Sequence, residues 1–96
     1  MSFSTEFLDS AHRHCSTNRQ ELLNSSKCGC FYCFKIYESS EIENWVEETQ
    51  GNFASASDPF TALCPKCGID AVIGTASGYP VDDVTFLQNM HTKWFE

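Results

Sequence analysis

No apolar run in this chain approaches the ~18 residues that a membrane span needs. Basic residues are scarce as well: six Lys and Arg stand against thirteen Asp and Glu, a formal net charge of −7. Those six, Arg13, Arg19, Lys27, Lys35, Lys66 and Lys93, are scattered along the sequence. Proteins that grip a phosphate backbone draw affinity from clustered Lys and Arg that displace counterions, so this balance argues against a nucleic-acid partner. A glycine-rich phosphate loop is missing, as are a Ser-His-Asp order with a nucleophile elbow and a helix of paired glutamates. The opening Met1–Glu6 stretch has neither a basic segment nor a hydrophobic one of the secretory kind, so the expected compartment is the cytoplasm. Thiols stay reduced there, and clustered cysteines serve metals more often than disulfides.

Against these absences the chain carries six cysteines in 96 residues, and four of them form two hooks. One is Cys30-Phe31-Tyr32-Cys33, the other Cys64-Pro65-Lys66-Cys67-Gly68, with thirty residues between them. Two C-x2-C pairs at this separation match the ligand spacing of a four-sulfur metal site, with tetrahedral zinc as the usual occupant. The reason is local geometry: a four-residue turn aims two sulfurs and several backbone N–H groups at one point. Pro65 presets a turn dihedral, and Gly68 supplies permissive backbone after the last ligand. The first hook has Phe34 in place of that glycine. Cys30, Cys33, Cys64 and Cys67 are therefore the expected ligands of one Zn²⁺ per chain. Four thiolates around one dication carry the net charge to about −9 and close the coordination shell, leaving no open position for substrate. Iron in the same cage would instead make a rubredoxin-like electron carrier.

Two cysteines remain. Cys28 lies two residues before Cys30 and offers an alternative ligand to it; otherwise Cys28 and Cys15 serve as small buried hydrophobes. His12 and His14, with Asp70 and the Asp82-Asp83 pair, could be drawn together into an open hydrolytic metal site. Residues two apart on a helix diverge, however, so the two histidines reach one ion only from an extended segment.

Phe3, Phe7, Ala11 and Cys15 recur every four positions with Leu8 beside them, which predicts a helix over Ser2–Cys15. Thr17 and Gln20 read as a capping box for a short helix of about Asn18–Ser25 carrying Leu22 and Leu23. Phe34–Glu38 alternates as a strand does. Ser40 and Glu43 read as a second capping box, with Ile42, Trp45, Val46 and Thr49 at helical spacing and Gly51 as the stop. Gln50–Pro59 is loop by composition. Thr61–Cys64 and Ile69–Ile73 flank the second hook and suggest a metal-tipped hairpin. Asp82 is the expected cap of a last helix with Phe86, Leu87, Met90 and Trp94 on its apolar face. One α+β domain over residues 1–96 follows: a small zinc-ribbon-like domain with its two cysteine knuckles on hairpins, flanked by N- and C-terminal helices.

Cys28-Gly-Cys-Phe-Tyr-Cys, Glu41-Ile42, Trp45, the run from Thr61-Ala-Leu-Cys-Pro-Lys-Cys-Gly-Ile-Asp to Gly74, Ser77-Gly-Tyr-Pro and Trp94-Phe95 together resemble a family of small bacterial cytoplasmic proteins. The resemblance covers about Asn18 to Phe95, with Asn52–Pro59 an insertion relative to the usual pattern. It implies a zinc-ribbon-like fold and no particular reaction. Beside it, the closed four-cysteine site, the acidic balance and a surplus of aromatics point to a non-enzymatic, zinc-stabilised module that binds another protein or itself. A nucleic-acid-binding ribbon is the alternative class, and a small hydrolase using His12 and His14 the third.

Overall fold

The computed structural model describes residues 3–48 and 58–96. Its elements run α1 (Thr5–His12), α2 (Arg19–Leu23), β1 (Lys27–Cys30), β2 (Ile36–Glu38), β3 (Trp45–Glu47), β4 (Phe60–Ala62), β5 (Val72–Gly74) and α3 (Val84–Phe95). They make a small α+β fold in which β1 is the centre of an antiparallel β2-β1-β5 sheet, while β3 and β4 pair as a separate antiparallel ribbon. None of the described helices is long and apolar enough to cross a membrane.

The first helix begins after Ser4, whose hydroxyl accepts the Phe7 N–H at 3.1 Å, and it tightens into a 3-10 turn over Arg13–Cys15. Leu8, Ala11 and Cys15 are its buried stripe, while Phe7 lies at the surface and stacks on Phe3. The chain then reverses at Thr17, whose φ of 47° lies in the left-handed region. The capping box expected from Thr17 and Gln20 is not formed. Thr17 donates its hydroxyl to the Ser16 carbonyl, and Gln20 reaches away to Asp58 at 2.8 Å. At the other end of the chain, α3 is capped by Asp83 rather than Asp82, with its carboxylate accepting the Thr85 N–H at 2.9 Å. Phe86, Leu87 and Met90 are fully buried as the apolar periodicity requires. Trp94 is not: it lies partly exposed, stacked on His12 at 3.9 Å between ring centroids.

Two further expectations are corrected. The stretch read as a helix from Ser40 is a 3-10 turn over Ser39–Glu41 followed by β3. Glu41 rather than Glu43 reaches back to a free N–H, that of Glu38 at 3.2 Å, and Trp45, Val46 and Glu47 then pair with Ala62, Thr61 and Phe60. A distant strand overrides the local helical spacing, as strand formation commonly depends on its partner. Thr49 and Gly51, and most of the expected Gln50–Pro59 loop, lie outside the described residues. The first hook does sit on a hairpin, β1–β2, but the second does not. Its flanking strands diverge, β4 to β3 and β5 to β1, so the second hook joins the two sheets.

Asn18 holds that junction together. Fully enclosed, its side-chain amide donates to the His14 carbonyl at 2.9 Å and to the Val72 carbonyl at 2.8 Å, and its carbonyl accepts the Ala62 N–H at 3.2 Å. One side chain thus ties the end of the first helix to both strands that lead into and out of the second hook. An Asn18→Ala chain leaves buried backbone groups unpaired, so it is expected to lose about 2–4 kcal/mol, measured by urea unfolding of the metal-loaded protein. A loss below about 0.5 kcal/mol would show that water replaces the amide. Close packing also depends on Gly29, where a Cβ would run into the Val81 carbonyl oxygen.

Candidate metal centre

The two hooks are built alike. In the first, the Phe34 N–H donates to the Cys30 carbonyl at 2.9 Å and the Cys30 N–H to the Lys35 carbonyl at 3.0 Å. In the second, Gly68 donates to Cys64 at 2.8 Å and Cys64 to Ile69 at 3.0 Å. Each leading cysteine sulfur also accepts a backbone N–H two residues on, from Tyr32 and from Lys66, both at 3.4 Å. Both hooks close through a left-handed residue, Phe34 with φ 66° and Gly68 with φ 83°. Phe34 therefore performs the turn that glycine performs more easily, and its ring packs edge-on against His91 at 5.3 Å.

These turns bring Cys30, Cys33, Cys64 and Cys67 together, with all four sulfurs within 4.8 Å of one another. The cross-hook pairs Cys30–Cys67 and Cys33–Cys64 stand 3.7 Å apart. A tetrahedron of sulfurs at ~2.3 Å from a central zinc has edges of ~3.8 Å, so the cluster fits a tetrahedral ion. All six cysteines are free, and the separations are far beyond a sulfur–sulfur bond of ~2.05 Å. The four cysteines are positioned to hold a metal ion. They are also asymmetric: Cys30 and Cys64 are buried, at 0% and 3% exposure, whereas Cys33 and Cys67 are half-buried at the outer side.

The environment opposes bare charge on the inner side. Burial pushes the Cys30 thiol well above its ordinary value, and Cys67 moves the same way for the same leading reason. Burial also acts upward on Cys64, but the nearby Tyr37 hydroxyl and the N–H groups of Lys66 and Cys67 outweigh it and bring that thiol down. The centre therefore holds one sulfur, Cys64, eased toward the thiolate state beside Cys30 and Cys67, where burial opposes it.

Cys28 shares the face of β1 with Cys30 but stays outside the cluster. Its sulfur lies 3.6 Å from the Tyr37 carbonyl, and burial pushes its thiol up to about 12. A Cys28→Ala chain is expected to keep its full metal content and lose about 1–2 kcal/mol of stability, because only a small buried group is removed. Metal lost from that chain, in elemental analysis of the purified protein, would make Cys28 a ligand. Cys15 is likewise a buried thiol, raised to about 11 chiefly by burial, and belongs to the core.

The histidines do not assemble. His14 binds Glu21 at 2.9 Å, His91 binds Glu96 at 2.8 Å, and His12 stacks on Trp94. His12 is lowered mainly by burial, with Asp70 and Asp9 acting in the opposite direction. Among the described residues the four cysteines are the one group of three or more metal-capable side chains that converge, so the imagined grouping of His12, His14, Asp70, Asp82 and Asp83 is not formed. Sequence reasoning missed the Tyr37 hydroxyl beside the centre. The signal was present in the alternation of Ile36–Glu38, but it becomes useful only once Tyr37 is known to lie across from Cys28.

Comparison with protein-family models, with curated proteins and with solved structures finds no match to the chain.

Proposed function

We propose that Cys30, Cys33, Cys64 and Cys67 bind one zinc ion per chain and that the protein is a zinc-ribbon-like, non-enzymatic module of the cytoplasm. The observation that carries this reading is the 3.7 Å cross-hook sulfur spacing, delivered by two hooks with matching hydrogen bonds. Zinc suits the donor set, since it has no geometric preference of its own and takes four thiolates in closed structural sites. Four sulfurs leave such an ion no free position, so its role is to hold the two sheets together. Native mass spectrometry with elemental analysis of protein purified without chelator is expected to give one zinc per chain. A metal-free folded chain, or iron as the native ion, overturns the assignment.

The module's task in this reading is to bind another protein. Support comes from the aromatic surface at the first hook: Tyr32 is 43% exposed, Trp94 39% and Phe95 42%. Tyr32 and Phe95 meet edge-to-face at 4.9 Å, and Phe95 lies 5.7 Å from the buried Phe31 of the same hook. Exposed rings beside a rigid metal-held turn suit a contact surface. Capture of a partner from host extract by the native chain, and its loss with Tyr32→Ala/Phe95→Ala, is the expected result. Equal capture by both chains overturns the assignment of this surface.

A further inference from the structure

Tyr37 sits on β2 directly across from Cys28 of β1, so its ring lies on the sheet face that also carries Cys30. The residue is 5% exposed, and its hydroxyl is wholly enclosed with no nitrogen, oxygen or sulfur at hydrogen-bonding geometry. A buried hydroxyl without a partner costs free energy and calls for an explanation. That face leads through Cys30 to the four-cysteine cluster, whose sulfurs lie within 4.8 Å of one another, and the buried Cys64 sulfur is the member near the hydroxyl. A metal-bound thiolate is a strong acceptor.

The centre also needs a donor there. Four thiolates around a divalent ion form a dianion, set into a chain whose formal charge is already −7. The backbone N–H groups of Tyr32 and Lys66 each reach one sulfur. Lys66, inside the second hook, lies 6.0 Å from the Tyr37 ring centroid and pairs with Glu41 at 3.0 Å. We propose that Tyr37 belongs to the outer shell of the metal centre, its hydroxyl donating a hydrogen bond to Cys64 Sγ once the ion is bound. The proposal rests on the four-cysteine metal assignment. Its consequence is an asymmetric centre. Cys64 is buried and hydrogen-bonded, so its sulfur is shielded from electrophiles, while Cys33 and Cys67 at the outer side are the ones that alkylating agents reach first.

Cobalt(II) loaded into the wild-type chain and into Tyr37→Phe tests this directly, because sulfur-to-cobalt charge-transfer bands report electron density on the thiolates. Removing the hydrogen bond makes Cys64 a better electron donor, so the variant's band is expected at lower energy and its metal affinity about tenfold to a hundredfold weaker. Identical bands and affinities in the two chains overturn the role of Tyr37 and leave the metal assignment standing. A wild-type chain that forms no tetrahedral thiolate complex overturns both. A second readout needs no substitution: in the wild-type protein loaded with NMR-active cadmium, the Tyr37 hydroxyl proton is expected to exchange slowly and to couple to the metal through Cys64. A rapidly exchanging, uncoupled proton overturns the proposal even where Tyr37→Phe fails to fold.

Discussion

A Cys67→Ser chain is expected to lose its metal and most of its cooperative structure, read as loss of near-ultraviolet circular dichroism and of any sharp urea transition. The effect is large because the ion contributes to folding directly: structural zinc in small finger peptides binds with about 10–16 kcal/mol. A domain of this size has a total stability of about 5–15 kcal/mol, so losing the ion removes most or all of the margin. The topology sharpens the point. The second hook is the connection between the three-stranded sheet and the β3–β4 ribbon, so an open cluster loosens β4 and its ribbon from the first hook, while β5 keeps its pairing with β1. Among the polar contacts that still tie the ribbon to the rest are the Asn18 amide and the Thr17 N–H bonded to the Thr61 hydroxyl at 2.7 Å. Chelator added to the wild-type chain is expected to produce the same unfolded state, reversed by adding zinc. A Cys67→Ser protein that stays folded without metal would sink the structural role of the ion, whatever its affinity.

The parts of this fold that could be read from sequence are those whose geometry is decided within a few residues. C-x2-C turns are local, so the four-cysteine cluster could be anticipated from spacing alone, and so could the buried face of α3 at Phe86, Leu87 and Met90. Trp45 and Val46 show where this fails. Their spacing from Ile42 suits a helix, but their partners Ala62 and Thr61 lie across the chain, and pairing with that strand decides the conformation. The second hook failed in the same manner: Cys64 to Ile69 closes locally, while the strands on either side belong to different sheets. Asn18 was legible only as the start of a short helix. Its use as a buried three-way tie depends on His14, Ala62 and Val72 converging, which no local pattern announces. Phe34 runs the other way, since a bulky residue after Cys33 reads as a departure from the pattern but adopts the same left-handed turn as Gly68.

Acid is expected to release the metal steeply, and the sign follows from the protonation of the ligands. A cysteine thiol ionises near pH ~8.5 when unperturbed, so in a metal-free unfolded chain all four ligands carry protons at neutral pH. Folding without metal does not relieve this at Cys30 and Cys67, where burial raises the thiols further, whereas Cys64 is brought down by the donors around it. A thiol raised in the folded state favours the metal-free fold only below its unfolded value, and that contribution fades as pH rises through the alkaline range. In the metal-loaded chain the relation inverts, because the bound form is the thiolate. Each proton displaced makes the affinity tenfold weaker per pH unit of acidification. Cys30 and Cys67 alone give about a hundredfold per unit, and four displaced protons give about ten-thousandfold. Zinc transfer to a colorimetric chelator, followed between about pH 8 and about pH 5.5 with circular dichroism in parallel, is expected to show release and unfolding along one curve with a slope of two to four protons. The Tyr37→Phe chain is expected to release its metal at higher pH than the wild type, since a weaker complex yields to protons earlier. Affinity that stays constant from about pH 8 to about pH 6 means that thiols are not the ligands, because no thiolate site can bind a cation there without expelling protons.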